Sequence, residues 1–184
     1  MCLHPRAFFA SLITVLVLWR LAVKVKFEHV VDAPIQKVIE AYKSQEFYVE
    51  KMKNSGALSV EVLERQERDD GTIFTKAKVV EKSRVPAFLH KSETDEYVDE
   101  NTLDPKASIM KWKITPTRGA DKVFLWGDVQ FFDAGGGKTK VVFTTEIQVK
   151  IPFVGGQVEK YALSNTEEEC AKQAQFIKDW VAKH

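Results

Sequence analysis

A series of alternating segments that ends in one long amphipathic stretch is the feature that most constrains the fold of this chain. Between residues 57 and 149, apolar and polar residues alternate in short runs separated by turn residues, and the stretch from about residue 156 to 183 has its apolar residues at helical spacing. Alternation predicts half-buried strands, whereas helical spacing predicts an amphipathic helix. The sequence therefore predicts an α+β fold in which a curved sheet wraps around a C-terminal helix, with an apolar hollow between them.

Seven strands are predicted ahead of that C-terminal helix. The first covers residues 24–31 and places on one face Val25, Phe27, His29 and Val31. Six more are predicted at residues 57–65, 72–81, 93–100, 107–115, 122–132 and 139–150, and the turn residues that separate them lie at 69–71, 101–105, 116–120 and 133–137. Connections this short favour an antiparallel meander.

Two short helices are predicted directly after the first strand. Asp32 and Pro34 indicate a helix start, with Asp32 as the N-cap and the proline just inside the helix. Apolar residues then repeat at helical spacing through Ile35, Val38, Ile39 and Tyr42. A second helix is predicted over residues 46–53, and the Asn-Ser-Gly sequence at 54–56 ends it.

Composition and charge limit the class of protein. The chain has 184 residues, of which 45% are hydrophobic, enough for one domain with a proper core and too few for two comfortable ones. Its formal charge of +1 comes from 27 basic and 26 acidic side chains, which leaves no excess positive charge for a phosphate backbone, so nucleic acid is not expected as a partner. Cys2 and Cys170 show no metal-type spacing, and Cys170 is expected to be a small buried hydrophobe.

Residues 1–23 form an apolar extension ahead of the domain at residues 24–184. The unbroken apolar run at 7–19 has 13 residues, fewer than the roughly 20 that a membrane-spanning helix needs. Three interpretations stay open: a cleaved signal peptide, a signal anchor over residues 7–23, and a segment that is dispensable to the fold. With an anchor, the basic residues Arg20, Lys24 and Lys26 favour a membrane-associated protein with a cytoplasmic domain; the alternative is a soluble cytoplasmic protein.

The inward faces of the later strands supply a candidate lining for the hollow. The alternation places on these faces Met110, Trp112, Leu125, Phe143 and Thr145. They line a ligand cavity if the C-terminal helix leaves the concave face of the sheet unfilled, and they are plain core if it does not. Gly127, among bulky neighbours, indicates a strand bend or room left open.

Five further residues are candidate ligand contacts. His29 points inward and is either a proton-transfer base or, more commonly, a hydrogen-bonded core residue. Glu169 and Gln173 share the apolar arc of the last helix with Phe176, where they either contact a polar head group or lie at the margin of the buried face. Phe88, in the connector at residues 84–90, either belongs to a flap over the pocket mouth or packs on the core.

Motifs of known catalytic or cofactor chemistry are missing from the sequence. The run 133–139 ends in Gly-Lys-Thr, but a phosphate loop needs glycine where Phe132 stands and a helix where a strand follows, so a glycine hairpin is predicted. Neither a Gly-x-Ser-x-Gly elbow nor a His-Glu-x-x-His motif occurs. We therefore expect no cofactor and no metal, and we assign no catalytic residue.

One pair of aromatic residues lies on the opposite face of the strand at 122–132. Phe124 and Trp126 stand there beside polar neighbours. They either pack across the strands or form an exposed patch for a partner.

The order of elements resembles the helix-grip fold of the START-like superfamily (SRPBCC, polyketide cyclase-like proteins). The residues that carry the resemblance are the opening run 26–34 (Lys-Phe-Glu-His-Val-Val-Asp-Ala-Pro), Val38, Tyr42 and the closing helix. Stretches around 47–53, 84–89 and 151–156 resemble an uncharacterised branch of small stand-alone domains in that superfamily. The resemblance spans residues 24–184 and implies a tunnel between the sheet and the last helix that binds lipids, sterols, polyketides or other apolar molecules.

Three functions agree with these features. The first is binding, with or without transfer, of a hydrophobic small molecule or lipid in a cavity between the sheet and the C-terminal helix. The second is a cyclase- or hydrolase-type enzyme that uses the same cavity, which would need a titratable pair within hydrogen-bond reach inside the tunnel; the sequence alone shows no such pair. The third is a protein-interaction module with a filled interior.

Overall fold

The described part of the chain folds as a sheet with helices on one of its faces. The computed structural model describes residues 22–83, 92–151, 155–164 and 166–184. The strands are β1 (Val23–Val31), β2 (Ala57–Glu67), β3 (Ile73–Lys82), β4 (Thr94–Asp104), β5 (Ile109–Pro116), β6 (Val123–Gly135) and β7 (Lys138–Val149). The helices are α1 (Ile35–Lys43), α2 (Gln45–Asn54), α3 (Gly155–Ser164) and α4 (Thr166–Lys183). The predicted helix-grip architecture is confirmed.

The strand order explains where the helices lie. The sheet is antiparallel with the order β1-β7-β6-β5-β4-β3-β2, so the chain leaves one edge after β1 and returns at the other edge with β2. The helices α1 and α2 make this crossing, and α1 contacts β6 and β7 while α2 contacts β2. At the C-terminus, α3 contacts β7, and α4 contacts β1, α1 and α2. All four helices thus meet the concave face or its rim.

Strand β4 is longer than the sequence predicts. Residues 101–105 are predicted as a turn, yet β4 continues to Asp104 and buries two further inward side chains, Asn101 at 7% exposure and Leu103 at 2%. The strand can bury Asn101 because the amide of this residue donates a hydrogen bond to the Asp99 carboxylate at 2.8 Å. The prediction of a turn at 101–105 is therefore wrong, since a polar residue there has a partner inside the fold.

The start of α1 also differs from the prediction. Pro34 occupies the N-cap position, and no side chain caps the helix. Asp32 instead forms an ion pair with Lys138 at 2.8 Å, so its prediction as the N-cap is wrong. In α2 the cap is a side chain, because Ser44 Oγ accepts a hydrogen bond from the backbone N–H of Phe47 at 3.2 Å.

The glycine-rich run after β6 forms the predicted hairpin. Gly135, Gly136 and Gly137 have φ angles of 78°, 60° and 71°, which other residues adopt at a cost. Strand β7 follows at once, so the run lacks the helix that a phosphate loop requires.

An aromatic cluster fixes α4 against α1 and α2. The Phe47 ring is 1% exposed, and its centroid lies 4.9 Å from that of Tyr42, 5.7 Å from Phe176 and 5.5 Å from Trp180. The buried side chains of α4 are Ala174, Ile177 and Val181, all on the predicted apolar arc. Cys170 is half-buried instead of buried, and burial raises the pKa of its thiol to about 11.

Most of the predicted anchor precedes the described residues. Residues 1–21, and with them most of the segment 7–23, lie outside the described residues. Among the helices that the structure describes, none is both long and apolar enough to cross a membrane.

Candidate functional site

Strand register assembles a row of mainly polar residues across the concave face. Thr145 of β7 lies opposite Gly127 of β6, Gly127 opposite Trp112 of β5, and Trp112 opposite Asn101 of β4. The row continues through Thr75 of β3 to Arg65 of β2. We call Thr145, Trp112, Asn101, Thr75 and Arg65 the polar row. Directly opposite residues have Cβ atoms about 4.5–5.5 Å apart, so these side chains are neighbours although they are distant in sequence.

The indole of Trp112 lies over Gly127. A Cβ at Gly127 would come within 2.7 Å of the Trp112 ring and would overlap the carbonyl oxygen of Thr144. The Trp112 ring also stacks on Phe143, with centroids 5.6 Å apart and planes 13° apart. The indole of Trp112 fills the space over Gly127, so the prediction of room left open at this residue is wrong.

A buried ionisable group lies beside the polar row, under α2. The Asp99 carboxylate accepts hydrogen bonds from Tyr48 Oη at 2.9 Å and from Asn101 Nδ2 at 2.8 Å, and Lys51 of α2 is buried nearby. We call Tyr48, Lys51, Asp99 and Asn101 the Asp99 cluster. Burial raises the pKa of Asp99 and lowers the pKa of Lys51, while the attraction between the two charges opposes both shifts. Burial likewise raises the pKa of Tyr48.

At the β2 end of the polar row, the Arg65 side chain has hydrogen-bond partners within the protein. Arg65 donates one hydrogen bond to Thr75 Oγ1 at 2.7 Å and another to the carbonyl oxygen of Lys43 at the end of α1. Charge-assisted hydrogen bonds of this kind hold side chains firmly. Together with the Asp99 cluster, they complete the half of the polar row that lies under α1 and α2.

In the described part of the chain, two polar atoms on the rest of the concave face are buried without a hydrogen-bond partner: Trp112 Nε1 and His29 Nε2. Such atoms are uncommon, because leaving a buried donor or acceptor unpaired costs about 1–3 kcal/mol. Burial, and secondarily the charge of Lys178, lowers the pKa of His29 to about 4. A neutral imidazole with so low a pKa is a weak general base near pH 7.

The lowered pKa of His29 predicts a pH-dependent stability. Its pKa in the folded state lies below the usual 6.5, so its contribution to stability is complete above pH 6.5 and is lost as the pH falls towards 4. Between pH 7 and pH 4, the free energy of unfolding should fall in both proteins. We expect the fall in the wild type to be larger than in His29→Gln by roughly 1–2 kcal/mol, a value that allows for solvent screening at the partly exposed ring. Urea denaturation at a series of pH values measures this.

The comparison with His29→Gln isolates the histidine from other groups. The raised pKa of Asp99 acts with the opposite sign, because a carboxyl that prefers to be protonated in the fold loses stability as the pH rises. Since Asp99 is present in both proteins, its contribution cancels in the difference. Equal pH profiles of the two proteins would contradict the assignment.

Five of the predicted site residues lie together on the concave face. Met110 and Thr145 are buried there, and Trp112, Leu125 and Phe143 are half-buried. His29 lies apart from them on the edge strand β1, opposite Val141 of β7. Phe88 lies outside the described residues.

The three predicted residues of α4 have other surroundings. Phe176 packs in the aromatic cluster against Phe47. Glu169 and Gln173 are half-buried, and the Glu169 carboxylate lies 3.6 Å from Lys172 Nζ on the same helix. A role of these two residues in ligand binding stays a prediction.

Sequence reasoning missed the Asp99 cluster. Asp99 and Asn101 alternate with outward residues and so share the inward face of β4 with Leu103, which is a readable signal once the strand is extended beyond residue 100. Tyr48 and Lys51 are one turn apart on α2 and are both buried. Nothing in the sequence indicates that this face of α2 meets β4.

A small cleft opens where β5 and β6 join. Its volume is about 180 Å³, and its lining comprises Lys113, Ile114, Thr115, Ala120, Val123, Phe124, Leu125 and Trp126. Ligand pockets usually have volumes of about 300–1,000 Å³, so a lipid-sized ligand would have to displace side chains here. Phe124 and Trp126 are half-buried, and Lys150 Nζ lies 4.5 Å from the centroid of the Phe124 ring.

Within the described residues, no three His, Cys, Asp or Glu side chains form a group that could hold a metal ion. The described side chains of the site offer apolar contact, hydrogen bonding by neutral groups and by Arg65, and the buried Tyr48–Asp99 pair.

Comparison with solved structures identifies the fold. TTHA0849 from Thermus thermophilus has a TM-score of 0.64 at 19% identity, covering 88% of this chain and 98% of that chain. The Zhui aromatase/cyclase from Streptomyces sp. R1128 has a TM-score of 0.67 at 14% identity, covering 88% of this chain and 94% of that chain. Norcoclaurine synthase from Thalictrum flavum has a TM-score of 0.64 at 17% identity, covering 100% of this chain and 98% of that chain. The fold is that of the SRPBCC helix-grip proteins.

Comparison of sequences gives the family. The chain belongs to the family described as "Protein of unknown function (DUF2505)", which it matches over residues 26–181. No protein of curated function matches the sequence.

Proposed function

We propose that this protein binds a hydrophobic small molecule or lipid between the concave face of the sheet and the C-terminal helix. The observation that carries the proposal is the unequal covering of the concave face. Inward side chains near α1 and α2 are buried, among them Val31, Val129, Phe131 and Val141. Inward side chains further from these helices are only half-buried, namely Val25, Phe27, Trp112, Ile114, Leu125 and Phe143.

Apolar burial would drive the binding. Each Å² of apolar surface removed from water contributes about 25 cal/mol, and the half-buried group contains three aromatic rings and three aliphatic side chains that a ligand could cover. We expect such a molecule to enter at the end of the sheet near Ile114 and Leu125, where the small cleft lies. Because the cleft is smaller than a lipid, we expect side chains at this end to move apart on binding.

The related folds are compatible with this proposal. Two of the structurally similar proteins are named an aromatase/cyclase and a norcoclaurine synthase. At identities below 20% they support a small-molecule site in this fold, and they leave the molecule and any reaction open.

The direct test is recovery of a bound molecule. Protein purified without detergent is extracted with organic solvent, the extract is analysed by mass spectrometry, and uptake of a fluorescent lipid is measured in parallel. We expect an apolar molecule in the extract and saturable uptake. Leu125→Glu should lower the uptake, because it places a carboxylate among apolar side chains, whereas Leu63→Glu, at a side chain 49% exposed on β2, should not. An empty extract with no uptake would disprove the proposal.

A second candidate function is catalysis in the same cavity. The Tyr48–Asp99 hydrogen bond of 2.9 Å is a titratable pair within reach, on the inward face of β4, with Lys51 close by. Shifted pKa values at buried groups are common at catalytic sites, although structural networks shift them too. Mass spectrometry of a recovered or added ligand before and after incubation distinguishes the two functions, because a binder returns the molecule unchanged.

Membrane association through residues 7–23 is a separate proposal that rests on the sequence alone. The apolar run ends close to the start of β1, so an anchor there would hold the domain near the bilayer. Fractionation of the full chain and of a chain that lacks residues 1–21 tests it; equal distribution of both between membrane and supernatant would reject it.

A further inference from the structure

We propose that the indole N–H of Trp112 donates a hydrogen bond to an oxygen of the bound molecule, and that the site takes an uncharged ligand with a hydroxyl, carbonyl or ester oxygen in preference to a carboxylate. This inference rests on the proposed function and specifies the chemical class of its ligand.

The unpaired donor is the first argument. Trp112 Nε1 is closed off from water and has no hydrogen-bond partner among the residues that the structure describes. An indole nitrogen is a donor only, so its missing partner must be an acceptor such as an oxygen. Buried polar groups in proteins are nearly always paired, and a group left unpaired often marks the place of a missing ligand or water.

The position of Trp112 in the polar row is the second argument. The row is complete on one side, where Asn101 bonds to Asp99 and Arg65 to Thr75. Trp112 is the next member and Thr145 lies beyond Gly127, away from α2. A ligand oxygen beside Trp112 would therefore extend an existing line of polar groups. The neighbouring row, which includes Phe143, Val129 and Met110, is apolar and suits the hydrocarbon part of the ligand.

Charge is the third argument. A carboxylate needs a cation when it is taken out of water. Two cations lie in or beside the described polar row. Lys51 lies beside Asp99, and the Arg65 guanidinium, on β2, donates hydrogen bonds to Thr75 and to the backbone carbonyl oxygen of Lys43. Lys178 acts on His29 and Asp32 at the edge strand, away from β5. His29 itself is neutral near pH 7, so it supplies no positive charge.

Access to the donor requires a local movement. The N–H is shielded, and the ring is held between Gly127 and Phe143. A ligand oxygen reaches it when a neighbouring side chain turns aside, which agrees with the opening that a lipid-sized ligand requires at this end of the sheet.

Isothermal titration calorimetry at pH 7.5 with three probes of equal chain length tests the inference: dodecan-2-one, dodecan-1-ol and dodecanoate. We expect the ketone and the alcohol to bind the wild type roughly tenfold more tightly than dodecanoate. Trp112→Phe keeps an aromatic ring on Phe143 and removes the N–H. It should therefore lower the affinity for the ketone by roughly three- to tenfold, which corresponds to the loss of one hydrogen bond. The control is Phe132→Leu, at a ring that is 43% exposed on the opposite face of β6 and away from the small cleft, which should leave the affinity unchanged.

The outcomes separate the inference from the proposed function. If the wild type binds dodecanoate as tightly as the ketone, or if Trp112→Phe binds the ketone like the wild type, the inference is wrong while ligand binding stands. If the wild type binds none of the three probes, both fail. Thermal unfolding of the variant without added probe provides the structural check. Because the N–H has no partner among the described residues, we expect the melting temperature of Trp112→Phe to lie at most a few degrees below that of the wild type. If Trp112→Phe fails to fold, the inference is tested by the order of the wild-type affinities for the three probes.

Discussion

Gly127→Ala is expected to destabilise the protein by about 3 kcal/mol or more, enough to unfold a domain of ordinary stability. A methyl group at this position would overlap the carbonyl oxygen of Thr144 and would lie within 2.7 Å of the Trp112 ring. The ring can turn, but the carbonyl belongs to the backbone of the adjacent strand β7, so relief requires the β6–β7 pairing to separate locally. Chemical denaturation followed by circular dichroism measures the loss.

Gly136→Ala is the matched control for this prediction. Gly136 has a φ of +60°, and nothing lies within 4 Å of a Cβ placed there, so the variant carries only the conformational cost of about 1 kcal/mol. The comparison separates lack of space from backbone strain. A cost at Gly127 that does not exceed the cost at Gly136 would show that β6 and β7 accommodate the methyl group, and the tight seat of Trp112 would have to be abandoned.

The sequence predicts the elements of this fold well because their signals are local. Alternation along each strand gives its inward face, and the inward set Val25, Phe27, His29 and Val31 lies where predicted. The glycine hairpin is likewise readable from three adjacent residues. Errors occur where a side-chain partner changes a local preference: Asp32 leaves its capping position for Lys138, which is distant in sequence, and Asn101 stays in the strand because it bonds to Asp99, two residues earlier.

The candidate site is harder to predict because it depends on register. Thr145, Trp112 and Asn101 are each ordinary residues in their own strands, and the polar row appears only when β4 to β7 are aligned. Register is a property of strand pairs, and a shift by one residue would send each of these side chains to the other face. The Asp99 cluster needs in addition the contact of α2 with the sheet, which no sequence period encodes.

Phe47→Ala is expected to cost about 3–5 kcal/mol, the usual range for removal of a fully buried phenyl ring. Phe47 is 1% exposed and contacts rings of both α1 and α4, so its loss leaves a cavity between the two short helices and the C-terminal helix. Because α4 packs against α1, α2 and β1 beside the proposed ligand site, uptake of a fluorescent lipid should fall together with the free energy of unfolding. Phe132→Ala makes the same change at a ring that is 43% exposed under Lys140, and it should cost at most about 1 kcal/mol. If the two variants lose similar stability, the aromatic cluster does not hold α4 in place, and the covering of the ligand site must depend on α3 and β7 instead.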